Sequence, residues 1–179
     1  MKNFIMLLTF SRIIFGPLIF VLSVFFNLYL ISLIIFILCS ISDFLDGYLA
    51  RKYSHESPLG KMLDPIADKI LLCSAMFSII LITGDSFVGF MGMLILVREF
   101  WVSALREYTA TYQIQSASQV SFLAKTKTTL QFISIAFYFF SFAYESSLGI
   151  FLSSFLLFLS LLFSIKTGMQ YTKNVLKFK

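Results

Sequence analysis

A chain of 179 residues that is 59% apolar and 13% charged, with a mean hydropathy of +0.90, is too oily for a soluble domain, in which apolar residues make up about 45–50% and charged residues about 25%. A spanning helix takes roughly 20 mostly apolar residues, so the length holds about six spans and leaves no room for a separate soluble domain. The expectation is one membrane domain over residues 1–179, and the formal charge of +5 draws it toward an anionic leaflet.

In chain order, the apolar runs predict helices at Ile5–Phe26, Leu28–Tyr48, Lys61–Ile82, Phe87–Tyr108, Phe122–Ala143 and Leu148–Met169. The runs are continuous rather than alternating, which favours an all-α integral membrane protein over a barrel. A very short turn is expected at Asn27 and polar loops at Ser54–Leu59 and Thr109–Val120, with further breaks at Gly84-Asp85 and Glu145-Ser146-Ser147. The first run looks superficially like a signal peptide. Arg12 interrupts it and no A-x-A-like site follows, so it is expected to be retained.

Lys2, Arg51, Lys52, Lys61, Arg106, Lys125, Lys127, Lys173, Lys177 and Lys179 fall at the N-terminus, the second and fourth connections or the tail, and the other connections carry no Lys or Arg. By the positive-inside rule both termini are then cytoplasmic. Cys39 and Cys73 each lie within an apolar span and read as inert thiols, neither a disulfide framework nor a metal site. His55 sits in a charged loop and reads as solvated, and the 23 phenylalanines read as lipid-facing or packing bulk. No nucleic-acid partner is expected.

The acidic residues demand more explanation. Four aspartates, Asp43, Asp46, Asp64 and Asp68, fall at or within spans, where an ionisable group is costly and therefore a functional candidate. The first two are spaced i,i+3 and the second two i,i+4, so each pair projects from one helix face. A short connection brings the two helices back antiparallel, so the pairs can face each other. The basic neighbours Arg51, Lys61 and Lys69 are too few or wrongly spaced to balance four carboxylates. Two divalent cations would do so, and hard cations on oxygen ligands suit phosphoryl chemistry. Gly47 and Gly60 leave bare backbone beside the carboxylates, and Pro65 removes one hydrogen bond from the third helix. Buried ion pairs or protonated aspartates would explain a single acid better than four at these spacings. A cation-coupled transporter would explain the acids but not the glycines, and it predicts ionisable groups spread across the membrane depth.

The pattern Asp43-x-x-Asp46-Gly47-x-x-Ala50-Arg51, eight residues, then Gly60-x-x-x-Asp64-x-x-x-Asp68 resembles the complete signature of the CDP-alcohol phosphotransferases, with no departure in residue or spacing. The resemblance implies six transmembrane helices in the cell membrane, a cytoplasm-facing site, a homodimer, two Mg²⁺ or Mn²⁺ ions and release of CMP. It implies that Asp43, Asp46 and Asp64 ligate the metals, and that Asp68 completes the metal site and serves as general base. Gly47, Ala50, Arg51 and Gly60 would line the pocket for the CDP-lipid. The chemistry is coherent in itself: cations neutralise the diphosphate oxygens that repel an incoming hydroxyl, and a carboxylate removes its proton.

The acceptor is read from a second cluster. Arg98 and Arg106 in the fourth span, with Lys125 and Lys127 opening the fifth, offer fixed positive charge for a phosphate. Arg98 could instead pair with Glu99 or Glu107, leaving the lysines to anchor a helix end. The stretches Arg98–Arg106 and Lys125–Gln131, with Leu8-Thr9-Phe10-Ser11-Arg12 and Pro17, resemble the branch of the family that makes phosphatidylglycerophosphate from CDP-diacylglycerol. On that likeness the acceptor is sn-glycerol 3-phosphate, held by Arg106, Lys125 and Lys127, with Arg98 and Thr9 as further contacts. A sister enzyme using phosphatidylglycerol, serine or an inositol phosphate is the alternative.

Overall fold

The computed structural model describes residues 2–53, 58–112 and 122–177; side chains are described outside 2–5, 43–53, 58–59, 61, 122 and 124–125. Among these residues the chain forms six α-helices: α1 (Lys2–Val24), α2 (Tyr29–Tyr53), α3 (Pro58–Thr83), α4 (Ser86–Thr111), α5 (Phe122–Ala143) and α6 (Ser147–Leu176). Each coincides with an expected apolar run. The longest extensions beyond the expected bounds are in α2, which carries its helix through the Asp43–Arg51 segment, and in α6, which continues beyond Met169. The extensions are polar, so hydropathy ends before the hydrogen-bonded helix does. Of the expected loop at Ser54–Leu59, residues 54–57 lie outside the described residues and Pro58 and Leu59 are helical; of that at Thr109–Val120, residues 113–120 lie outside them and 109–111 are still helical. Pro58 opens α3, where its missing N–H costs nothing.

The short connections show how the chain reverses. Asn27 takes a left-handed backbone (φ 55°), and the N–H of Leu28 returns to the carbonyl of Leu22 at 3.0 Å. Glu145 is left-handed too, with the N–H of Ser146 donating to Ser141 O at 2.9 Å, a Schellman-type close to α5. Asp85 caps α4, its carboxylate accepting from the N–H of Phe87 at 2.8 Å.

The chain divides into two compact units. The first comprises Met1–Gly84 and Ile135–Ile150. In it α1 packs on α3 and on α2. Thr9, Arg12, Gly16, Ile19 and Ser23 are all buried, and their 3-4 spacing is one helix face. Gly16 lets the helices close: a Cβ there would stand 3.2 Å from the Leu71 Cα. Contacts pair Thr9 with Asp64, Arg12 with Asp64 and Asp68, and Gly16 with Leu71. The numbers rise together on both sides, so α1 and α3 run parallel. Above the ion pairs the interior is apolar, with Ile19, Leu71, Ala75, Met76 and Ile79 buried and the rings of Phe36 and Phe139 6.3 Å apart.

The second unit comprises Asp85–Ser134 and Phe151–Lys179. Its helices bury Val88, Met91, Ile95 and Val102 from α4, and Ser153, Leu157, Ser160, Ser164, Thr167 and Tyr171 from α6. Small hydroxyl residues let helices approach closely and bond across, as Ser134 Oγ does to Ser153 O at 2.8 Å.

Outside these interiors the surface is oily. Phe25, Leu28, Met62, Phe77, Phe87, Phe151 and many other large apolar side chains are exposed. Such a surface suits a lipid environment rather than water. Among the described residues four helices are long and apolar enough to cross a membrane, within Met6–Val24, Met62–Thr83, Ser86–Thr111 and Ser147–Leu176. The chain is a multi-pass membrane protein.

Candidate active site

The sequence pattern puts Asp64 and Asp68 one turn apart on α3, and the structure turns both toward α1. Arg12, with 0% of its side chain exposed, reaches both carboxylates: its Nη2 donates to Asp64 Oδ1 at 2.6 Å, and its Nη1 to Asp68 Oδ1. Thr9 Oγ1 adds a bond to the same Asp64 oxygen at 3.2 Å. An arginine in the midst of an apolar helix needs a partner, and among the described residues both Asp64 and Asp68 serve. The aspartates remain 41% and 44% exposed. Their carboxylates are thus oriented from the α1 side while part of each stays reachable.

In the sequence Arg12 appears as a break in an apolar run and as the end of the Leu8–Arg12 stretch, with nothing to name its partner. Its signal was that same break: a guanidinium at mid-helix, with Thr9 and Gly16 at helical spacing on its face. Thr9, read as a further acceptor contact, lies beside Asp64 and donates to it. Asp43, Asp46, Gly47, Ala50 and Arg51 are helical in α2 and their side chains lie outside the described residues. Gly60 is half-buried in the first turn of α3. Among the described residues no three His, Cys, Asp or Glu side chains gather as a metal group; Asp64 and Asp68 supply two oxygen donors. Cys39 is buried, Cys73 is half-buried, and both are free thiols.

The second unit holds the basic cluster. Arg98 is fastened to α6: its Nε donates to Ser164 O at 2.9 Å and its Nη2 to Thr167 Oγ1 at 2.7 Å. Gly168 makes room, since a Cβ there would come within 3.2 Å of Arg98 Cγ. Arg98 Nη1 also bonds Glu99 at 3.1 Å, and buried Lys127 from α5 bonds the same Glu99 oxygen. The pairing of Arg98 with Glu99, left open by the sequence, is therefore formed. Arg106 lies 5.5 Å from the centre of the Tyr171 ring, a cation–π contact. Among the described residues no carboxylate pairs with it. Lys125 is helical in α5 with its side chain outside the described residues. The structure brings Arg98 and Lys127 together through Glu99 and leaves Arg106 exposed on α4.

The model of the CDP-alcohol phosphatidyltransferase family matches residues 3–166. The chain belongs to this family. Its signature aspartates and both basic stretches fall inside the matched residues. Three relatives carry the name CDP-diacylglycerol–glycerol-3-phosphate 3-phosphatidyltransferase. That of Rickettsia typhi is 43% identical over 138 residues, covering 76% of this chain and 75% of the relative. That of Wigglesworthia glossinidia brevipalpis is 34% identical over 167 residues, covering 87% and 88%. That of Salmonella choleraesuis is 35% identical over 134 residues, covering 73% and 72%. Each of these three matches covers more than two thirds of both chains.

Proposed function

We propose that this chain transfers the phosphatidyl group of CDP-diacylglycerol to sn-glycerol 3-phosphate, giving phosphatidylglycerophosphate and CMP in phospholipid synthesis. The observation that carries the reading is the complete family signature, with its Asp64 and Asp68 held one turn apart on α3 and oriented from α1. The relatives' shared name supplies the acceptor.

Two divalent cations, Mg²⁺ or Mn²⁺, suit the donors present. Carboxylate oxygens are hard ligands, and Asp64 accepts Arg12 and Thr9 on Oδ1 alone, leaving Oδ2 facing away from those two bonds. Asp43, Asp46, Asp64 and Asp68 would hold the ions, which when bound neutralise diphosphate oxygens. An acceptor hydroxyl oxygen forms a new bond to the phosphatidyl phosphorus, the bond from that phosphorus to the CMP oxygen breaks, and the hydroxyl proton passes to Asp68. Gly47, Ala50, Arg51 and Gly60 line the CDP-lipid pocket in this reading. Arg106, Lys125 and Lys127 meet the acceptor phosphate, with Arg98 holding the α6 side. The site faces the cytoplasm, and the enzyme works as a homodimer.

The test is CMP release from CDP-diacylglycerol by the purified enzyme against a panel of acceptors, with and without chelator. Glycerol 3-phosphate should be the productive acceptor, and activity should vanish on chelation and return with Mg²⁺ or Mn²⁺. CMP release with serine, inositol phosphate or phosphatidylglycerol but none with glycerol 3-phosphate would overturn the acceptor. Full activity after chelation would overturn the two-cation reading.

A further inference from the structure

Arg12 reaches across from α1 to the two signature aspartates of α3, and this arrangement does more than satisfy a buried cation. We propose that Arg12 is the positioning residue that sets both the spread and the net charge of the carboxylate site, so that the site holds its cations loosely and retains positive charge for the diphosphate. The inference rests on the two-cation reading above.

The geometry comes first. One guanidinium engages two carboxylates through separate nitrogens, Nη1 to Asp68 and Nη2 to Asp64, always on Oδ1. The rigid plane of the guanidinium therefore fixes the separation of the two acids as well as their rotamers. It is itself fixed: Arg12 is wholly buried, and its helix is held against α3 at Gly16, one turn further on. A lysine at this place would keep a positive charge but bring a single point donor.

The charge follows. Four signature aspartates carry four negative charges, which two divalent cations would cancel in full. Arg12 lowers the deficit to three, because its own charge is paired there and cannot leave. With two divalent cations held, the charge of Arg12 would be left over from that balance, beside the lipid diphosphate. That surplus weakens cation binding in the resting site and strengthens capture of the anionic substrate, two effects of opposite sign from one residue.

The opposite signs make the test. The full-length enzyme in detergent is titrated with Mn²⁺, free Mn²⁺ being read by electron paramagnetic resonance, and the same preparations are assayed for kcat and for the KM of CDP-diacylglycerol. Arg12→Gln should bind Mn²⁺ at least about fivefold more tightly, since removing a like charge at such range is a large term in a partly buried site. Its KM for CDP-diacylglycerol should rise and its kcat fall by about tenfold or more. Arg12→Lys should keep Mn²⁺ affinity within about twofold yet lose turnover comparably, because charge is kept while the fork is lost. Unchanged or weaker Mn²⁺ binding by an Arg12→Gln protein with wild-type helical content overturns the proposal, because a purely structural arginine gives that result. If Arg12→Gln does not fold, Arg12→Lys decides: wild-type turnover, or Mn²⁺ affinity shifted beyond twofold, overturns it. Absence of Mn²⁺ binding by the wild-type enzyme is a separate outcome, which removes the two-cation reading and this inference with it.

Discussion

At Asp64 a single oxygen takes both the Thr9 hydroxyl and an Arg12 nitrogen, while Asp68 takes the other nitrogen. An amide in either place keeps the shape but gives up the negative charge that Arg12 pairs with and that the proposed cations would need. Asp64→Asn and Asp68→Asn should therefore each reduce CMP release by about a hundredfold or more. Each should also lower stability by about 1 kcal/mol, a charged hydrogen bond discounted because the carboxylates are partly exposed. Thermal unfolding followed by size exclusion measures the second effect, and an active Asp68→Asn enzyme would remove that residue as the base. The basic cluster calls for a different signature. Arg106 rests on Tyr171 rather than on a carboxylate, so its guanidinium is available to a phosphate at no cost in broken ion pairs. Arg106→Gln should raise the KM for glycerol 3-phosphate about tenfold, the loss of one charge-assisted contact, and leave that for CDP-diacylglycerol nearly unchanged. Equal rises in both would place Arg106 outside the acceptor site. Lys127 is buried against Glu99, so the same substitution there also disturbs folding and reads less cleanly.

The elements were legible where composition alone decides and obscure where facing matters. Continuous apolar runs marked all six helices, because a lipid-exposed helix needs no polar face and its limits appear as the turns at Asn27, Gly84-Asp85 and Glu145. The same uniformity hid which side of α1 meets α3. Only a sparse stripe, Thr9, Arg12, Gly16, Ile19 and Ser23, distinguishes it, and each member alone has an ordinary explanation. Hence Asp64 and Asp68 were identified from the motif, whereas their partner Arg12 was not, since a separation of 52 in the chain carries no spacing rule. The Arg98–Glu99 contact was visible as an option because the residues adjoin, but Ser164 and Thr167 as its anchors required the fold. The α1–α3 seam also makes a prediction. At Gly16 an added Cβ would sit 3.2 Å from both Ile70 Cγ2 and Leu71 Cα, and the latter is backbone that cannot swing aside. Gly16→Val should cost about 1–3 kcal/mol by overpacking, read as a lower unfolding temperature in detergent. It should also reduce turnover, since Arg12 lies one turn away on the same face. A fully stable and active Gly16→Val enzyme would show that α1 and α3 do not close there.

For the molecule as a whole, orientation in the bilayer follows from where the positive charge lies. Lys2 opens α1, Arg51 and Lys52 close α2, Arg106 is near the end of α4, Lys125 and Lys127 open α5, and Lys173 closes α6. If each helix crosses once, every one of these ends falls on the same side, and the opposite connections at Asn27, Asp85 and Glu145 hold no Lys or Arg. Parallel α1 and α3 agree with single crossings, because an intervening α2 must return the chain to the side from which α1 began. On the positive-inside rule both termini, the α2–α3 connection and the signature end of α2 are expected inside the cell. That side is also the one on which a soluble phosphorylated acceptor would be supplied. Single cysteines placed at positions 55, 85, 146 and 177, in a background lacking Cys39 and Cys73, test this with a membrane-impermeant maleimide on intact cells. Positions 85 and 146 should label directly, and positions 55 and 177 only after the membrane is permeabilised. Direct labelling at 55 or 177 would invert the molecule in the bilayer and put the carboxylates on the side opposite to the acceptor.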